Sequence, residues 1–139
     1  MEKELLKTLF ELAEKSLKED EFPVSAIIYD DTGIISTGYN CRNRTNKTTD
    51  HAEIIAIENA NKKLKNWNLQ NKCMIVTLEP CDMCKSVIKE ARLKKTHYLI
   101  PRYKYKKQYK CTDFELKEID APELKKYRQD ITTFFINKR

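Results

Sequence analysis

Two short motifs constrain what this chain can fold into more than any other feature of its sequence. One reads His51-Ala-Glu53 and the other reads Pro80-Cys81-Asp-Met-Cys84, with 27 residues between Glu53 and Cys81. The hydrophobic pattern that follows each motif predicts a helix beginning at that point. A fold in which the two motifs act together must therefore bring two helix N-termini to the same edge of the protein.

The paired cysteines indicate a metal site. Cys81 and Cys84 are three residues apart at a helix start, so both sulfurs lie on one face near the positive end of the helix dipole, which favours thiolates. His51 supplies a third ligand if the two helix starts meet. Three protein ligands with an open fourth position are the pattern of catalytic zinc, which lowers the pKa of its bound water to about 7. We therefore expect Zn2+ as the cofactor. The remaining cysteines are expected to be bystanders: Cys41, Cys73 and Cys111.

Glu53 is expected to carry protons rather than to bind the metal. Side chains in the first turn of a helix lean toward its N-terminus, so His51 and Glu53 can face one cavity. A carboxylate beside an activated water can accept a proton and pass it to a ring nitrogen and then to a departing amine. Each residue of the two motifs also has an ordinary structural explanation on its own. Their joint occurrence favours catalysis.

Strands that alternate with helices along the chain predict an α/β fold. Apolar residues at helical spacing predict helices over 2–19, 51–65 and 81–91, and a closing helix from Pro122, where proline suits the first turn. Runs of β-branched residues predict a hairpin within 23–38, a buried central strand over 73–78, a strand over 96–100 and a weaker strand near 114–119. This order predicts a three-layer α/β/α sandwich with a mixed five-stranded sheet. A length of 139 residues suits one domain, residues 1–139.

Hydropathy indicates where the protein works, and charge indicates what it binds. No stretch approaches the roughly 18 apolar residues of a membrane span, and the N-terminus lacks the apolar core of a signal peptide, so we expect a cytoplasmic protein without membrane contact. Residues 1–84 carry 11 basic and 14 acidic side chains, whereas residues 85–139 carry 16 basic and 7 acidic ones. The basic part suggests a polyanionic partner, with nucleic acid first, although a lysine-rich solvated surface explains the composition equally well.

The two motifs together match the H-x-E and P-C-x-x-C signature of zinc nucleobase deaminases. Beyond this signature, the chain resembles the bacterial tRNA adenosine deaminases of the cytidine and deoxycytidylate deaminase superfamily along nearly its whole length. Thr77-Leu-Glu-Pro-Cys81 is more telling than the cysteine pair, because guanine and cytosine deaminases usually differ just before that pair. The other similar segments are Glu21-Phe-Pro-Val24, Gly38-Tyr-Asn40, His51-Ala-Glu-Ile-Ile-Ala-Ile57 and Thr132-Thr-Phe-Phe135.

This resemblance implies conversion of the wobble adenosine of a tRNA anticodon stem-loop to inosine, on the cytidine-deaminase fold and in a homodimer. It also implies that Asn40 contacts the flipped nucleotide and that the backbone around Glu79 and Pro80 lines the pocket. Two positions depart from the usual family pattern. Phe22 stands at the pocket wall in place of a common Val, and Ser25 replaces a common Gly, which predicts a narrower base pocket.

A basic, tyrosine-rich segment follows the strand predicted at 96–100, where the family has an Asp- and Gly-rich loop that touches RNA. Cations can neutralise phosphates and tyrosines can stack on unpaired bases, so the segment is a candidate RNA surface. A solvated edge strand protected by lysines is the alternative. The candidate contacts are Arg102, Tyr103, Lys104, Tyr105, Lys106, Lys107, Tyr109 and Lys110.

Two further functions stay open beside deamination of tRNA. A deaminase of a free base or nucleoside, such as guanine, cytosine or cytidine, needs neither a basic face nor stacking tyrosines. A noncatalytic RNA-binding module stabilised by zinc needs no Glu53, so the presence of that carboxylate argues against it. Paired assays on tRNA and on free nucleosides separate a tRNA deaminase from a deaminase of free bases or nucleosides.

Overall fold

The computed structural model describes residues 2–101, 115–119 and 121–137, and every structural statement below refers to them. The candidate RNA contacts from Arg102 to Lys110 lie outside the described residues, as does Cys111. Within the described ranges, no helix has the length and apolar character needed to cross a membrane.

Helices and strands alternate along the described chain much as the hydrophobic pattern predicts. The helices are α1 (Glu2–Lys18), α2 (Arg42–Thr45), α3 (Ala52–Leu64), α4 (Asp82–Glu90) and α5 (Leu124–Asn137). The strands are β1 (Ser25–Asp30), β2 (Gly33–Tyr39), β3 (Cys73–Leu78), β4 (Lys95–Ile100) and β5 (Glu115–Glu118).

The strands form one mixed sheet in the order β2-β1-β3-β4-β5. Strand β1 runs antiparallel to β2 and to β3, whereas β3, β4 and β5 run parallel. Parallel neighbours need a crossover, and α4 provides it between β3 and β4. Both strands consequently end at the same edge, where the backbone N–H of Glu79 donates to the carbonyl of Ile100 at 2.8 Å.

Helices cover both faces of this sheet. The Ser25 hydroxyl of β1 donates to the carbonyl of Leu9 in α1 at 2.5 Å, and the Ser36 hydroxyl of β2 donates to the carbonyl of Ala56 in α3 at 2.7 Å. Ser36 pairs with Ile28, and positions 25 and 28 of one strand point to opposite faces. Helices α1 and α3 therefore lie on opposite sides, with α5 beside α1 and α4 beside α3. The predicted three-layer α/β/α sandwich is confirmed.

Two details differ from the sequence-based expectation. The short helix α2 was not predicted, because it has only four residues and its N-cap residue, Cys41, makes no side-chain capping bond. The helix is stabilised by a residue that is remote in sequence: the buried carboxylate of Glu21 accepts hydrogen bonds from the backbone N–H groups of Asn43 and Arg44 at 2.9 Å each. Helix α5 begins at Leu124, so Pro122 lies in the turn before the helix rather than in its first turn.

Candidate metal centre and active site

His51 is the N-cap residue of α3, yet its side chain makes no capping hydrogen bond. The carboxamide oxygen of Asn40, at the end of β2, accepts the backbone N–H of Ala52 at 2.9 Å instead. The side chain of Asn40 thus caps the N-terminus of α3, although Asn40 is not the N-cap residue. The imidazole of His51 is left to face the start of α4.

The start of α4 supplies the two sulfurs. Cys81 is the N-cap residue of α4, and Cys84 lies in the first turn with no exposed surface. The Nδ1 atom of His51 is 3.6 Å from the Sγ of Cys81 and 3.5 Å from the Sγ of Cys84. All three ligand atoms lie within 4.8 Å of one another. The structure therefore brings together the three predicted metal ligands.

These separations suit zinc. A tetrahedral ion with Zn–S bonds of about 2.3 Å and a Zn–N bond of about 2.0–2.1 Å places nitrogen and sulfur about 3.6 Å apart. Two sulfurs and one imidazole are also the soft and borderline donors that zinc prefers. The donor set and its spacing both fit the ion.

Contact between the two thiols shifts their pKa values in opposite directions. Contact with Cys84 lowers the pKa of Cys81 to about 3, against the opposing effect of burial. The same contact raises the pKa of Cys84 well above its usual range, and burial and the Glu53 carboxylate add to that rise. Without a cation the two sulfurs share one proton, since a second negative charge beside a carboxylate is unfavourable. A divalent cation would permit both thiolates.

Glu53 stands next to this cluster. Only 2% of it is exposed, and its carboxylate is close enough to the thiol of Cys84 to affect it both by charge and by a hydrogen bond. Its place in the first turn of α3, two residues after His51, aims it at the same end of the helix. A buried carboxylate beside a metal site and outside the ligand set is what proton transfer requires.

The structure shows the contacts and burial of the other residues that were predicted near the pocket. Phe22 packs edge-on against Phe134 of α5, with ring centres 5.5 Å apart. Ser25 is buried, and its hydroxyl donates to the carbonyl of Leu9 in α1, on the face of the sheet opposite α3. Pro80 is buried immediately before Cys81.

Two neighbours of the site were missed from the sequence. Arg42 of α2 contacts the Nε2 atom of His51 and donates from Nε to the carbonyl of Thr48 at 3.1 Å. Lys85, only 4% exposed and directly after Cys84, forms an ion pair with Glu79 at 2.8 Å. The sequence did offer a signal for the second of these contacts, because Lys85 lies on the apolar face of a predicted helix and a lysine there needs a buried partner. No local sequence pattern indicates that Arg42 contacts His51.

Comparison with known proteins agrees with this geometry. Residues 1–100 match the family described as the cytidine and deoxycytidylate deaminase zinc-binding region. A tRNA-specific adenosine deaminase of Haemophilus influenzae is 32% identical over 148 residues, which cover 99% of this chain and 85% of that protein. The chain therefore belongs to the cytidine and deoxycytidylate deaminase family, and its metal site is the zinc-binding region of that family.

Other relatives are similar over a shorter length. A tRNA-specific adenosine deaminase of Streptococcus pyogenes serotype M18 is 43% identical over 81 residues, which cover 58% of this chain and 51% of that protein. The match thus spans about half the length of that relative.

Two solved structures share the fold. One comes from a study of A-to-I editing by tRNA:A34 deaminases at the wobble position of transfer RNA. It superposes with a TM-score of 0.76 and 26% sequence identity, and the match covers 84% of this chain and 97% of the other. The other is the guanine deaminase of Bacillus subtilis, with a TM-score of 0.68, 25% identity and coverage of 94% and 93%.

Proposed function

We propose that this chain is a zinc-dependent hydrolytic deaminase that converts adenosine to inosine at the wobble position of tRNA. The observation that carries the chemistry is the cluster of His51, Cys81 and Cys84 with the buried carboxylate of Glu53 beside it. The relatives named as tRNA-specific adenosine deaminases support the substrate, and so does the basic balance of residues 85–139.

His51, Cys81 and Cys84 would hold the zinc. The ion, when bound, supplies a hydroxide nucleophile near neutral pH. Glu53 would accept a proton from the attacking water and deliver it to N1 of the adenine ring while the water oxygen adds to C6. It would then take the second proton of that oxygen and pass it to the amino group, which would leave as ammonia as the carbonyl forms at C6.

Residues around the site would hold the nucleotide that has left the stacked RNA. The amide oxygen of Asn40 is occupied by Ala52, so its amide nitrogen is the group that donates to the base or ribose. The carboxylate of Glu79 is turned to Lys85, which leaves the backbone of Glu79 and Pro80 as pocket lining. Phe22, packed against Phe134, forms an apolar wall.

We propose that residues 1–139 form one deaminase domain and that the protein works as a cytoplasmic homodimer. A deaminase of free guanine is the second candidate, because the guanine deaminase of Bacillus subtilis has a similar fold over 94% of this chain. One experiment separates the two. The zinc-loaded protein is assayed for release of ammonia from tRNA, an anticodon stem-loop, guanine, cytosine, cytidine and adenosine, with inosine mapped by sequencing. Turnover of guanine without inosine in tRNA would overturn the proposed substrate.

A further inference from the structure

Trp67 is the single tryptophan of the chain, and 63% of it is exposed. It lies in the loop between α3 and β3, and that loop is well ordered by hydrogen bonds. The side-chain amide of Asn61 donates to the carbonyls of Asn66 and Trp67 at 3.1 and 3.3 Å, and Leu69 is fully buried just beyond. A fixed, exposed indole contributes little to folding, since its hydrophobic surface stays in water.

The loop between α4 and β4 lies directly beside Trp67 and surrounds it with positive charge. Leu69 donates its N–H to the carbonyl of Ala91 at 2.8 Å, which joins the two loops. The guanidinium of Arg92 is 6.0 Å from the centre of the Trp67 ring. We call this area the Trp67 surface. We define it by Trp67, Lys62, Lys65, Arg92 and Lys94, all of which are exposed; Glu90, exposed at the end of α4, adds one negative charge.

Three cations of this surface are available to a partner. Within the part of the chain that the structure describes, Lys62, Lys65 and Lys94 have no carboxylate at salt-bridge distance. By contrast, Lys72 on the border of the surface is paired with Asp30 at 3.3 Å. Cations at helix C-termini also complement the helix dipole, which accounts for Lys62 and Lys65 at the end of α3. It also accounts for Arg92, whose guanidinium donates to the carbonyl of Lys89 in the last turn of α4 at 3.5 Å. It accounts neither for Lys94, which lies in the loop before β4, nor for the exposed ring.

The combination favours RNA over a second copy of the chain. An aromatic ring flanked by cations binds nucleic acid by stacking on an unpaired base while the cations neutralise its phosphates. Two copies facing each other through this surface would bring like charges together, which disfavours self-association.

We propose that the Trp67 surface is a second RNA contact, which stacks an unpaired base on Trp67 and binds the neighbouring phosphates through Lys62, Lys65 and Lys94. This inference rests on the proposed RNA substrate. Helix α3 begins at His51 of the metal centre and ends at this surface, and its 13 residues span about 20 Å. The contact therefore holds a part of the RNA distant from the nucleotide that reacts.

The single tryptophan makes the proposal directly testable. Binding of tRNA is measured by filter retention, and the emission of Trp67 is followed in the same titration. We expect quenching with the same midpoint as binding. Unchanged emission at saturating tRNA would overturn the second contact and leave the proposed function intact, whereas absence of tRNA binding would overturn both. Emission that shifts with protein concentration in the absence of RNA would identify a self-association surface instead.

Variants provide a second measurement. Trp67→Ala should weaken tRNA binding by about 5- to 150-fold, and Trp67→Phe should have a smaller effect because a ring remains. The triple variant Lys62→Ala, Lys65→Ala, Lys94→Ala should flatten the log–log salt dependence by roughly 0.7–0.9 for each phosphate that the protein no longer neutralises. We expect KM for RNA to rise in these variants while kcat and zinc content stay at the wild-type values.

A matched control removes three exposed lysines from the helices on the other face of the sheet, as Lys3→Ala, Lys7→Ala and Lys125→Ala. The control should keep a KM near that of the wild type. Equal effects of the control and the triple variant would reduce the surface to a general charge effect and overturn the proposal. The proposal would also be overturned if Trp67→Ala bound tRNA with the wild-type affinity.

Discussion

A side chain at Gly38 would place its Cβ 2.4 Å from the carbonyl oxygen of Ala52 and 2.7 Å from the backbone nitrogen of Ala56. Strand β2 can therefore approach the first turn of α3 only because residue 38 is a glycine. That first turn carries His51 on one side of Ala52 and Glu53 on the other. The close approach thus sets the positions of His51, a predicted metal ligand, and of Glu53, the proposed proton carrier, together.

Replacing Gly38 should consequently affect stability and metal binding together. Gly38→Ala forces backbone to move, since the atoms it meets are main-chain atoms, and such overpacking costs typically 1–3 kcal/mol of unfolding free energy. We expect a lower midpoint in urea unfolding and less than one zinc per chain by elemental analysis. Gly33→Ala is the control, because a side chain there meets nothing within 4 Å but is strained by a φ of +120°. It should lower stability and keep its zinc; full zinc in both variants would contradict the prediction.

The sequence predicts most of this fold because its signals are local and strong. The apolar run of Cys73–Leu78 marks β3 with the bounds that the structure has, and the two motifs mark the starts of α3 and α4 within one residue. The misses have a common cause. Helix α2 depends on Glu21, more than 20 residues away, and its Arg42 reaches His51 only through that arrangement. No local pattern encodes a contact of that kind.

Zinc content should depend on the three predicted ligands and on no other cysteine of the described part. We expect one zinc per purified chain and a clear loss in Cys81→Ser, Cys84→Ser and His51→Ala, because each removes one of three protein donors. Cys73→Ser is the matched control, since that cysteine lies in β3 outside the cluster. Full occupancy in the three ligand variants, or a loss in the control alone, would contradict the assignment.

Removal of the metal should expose an unusually acidic thiol. The pKa of Cys81 is lowered to about 3 by Cys84, whereas burial raises the pKa of Cys73. The thiolate is the reactive form, and pH 5 lies above the pKa of Cys81 and far below that of Cys73, so at this pH Cys81 should be ionised and Cys73 protonated. After chelation, iodoacetamide at pH 5 should label Cys81 much faster than Cys73, as read by mass spectrometry. Zinc-loaded protein should be protected. Equal labelling of both cysteines at pH 5 would count against the cluster.

The segment from Arg102 to Lys110, outside the described residues, should contribute a separate part of RNA binding. It follows β4, whose last residue, Ile100, is hydrogen-bonded to Glu79 of the loop that leads to the metal ligands. Replacing Lys104, Lys106 and Lys107 with alanine should weaken tRNA binding and flatten its salt dependence. Replacement of Tyr103, Tyr105 or Tyr109 should weaken binding with little change in that slope. If all of these variants keep the wild-type tRNA affinity and salt dependence, the alternative of a free-base deaminase becomes stronger.

Glu53→Gln offers the sharpest separation of binding from chemistry. The amide keeps the size of the carboxylate and its place beside Cys84, but it cannot accept and return a proton at neutral pH. Because Glu53 is outside the proposed ligand set, zinc content and tRNA affinity should stay at the wild-type values. The single-turnover rate of inosine formation should fall by about 10²- to 10⁴-fold, the usual contribution of a general acid–base group. Asp82→Asn is the control, since it removes an exposed carboxylate from the first turn of α4 at the same edge. A Glu53→Gln protein that forms inosine as fast as this control would assign the proton transfer to another group.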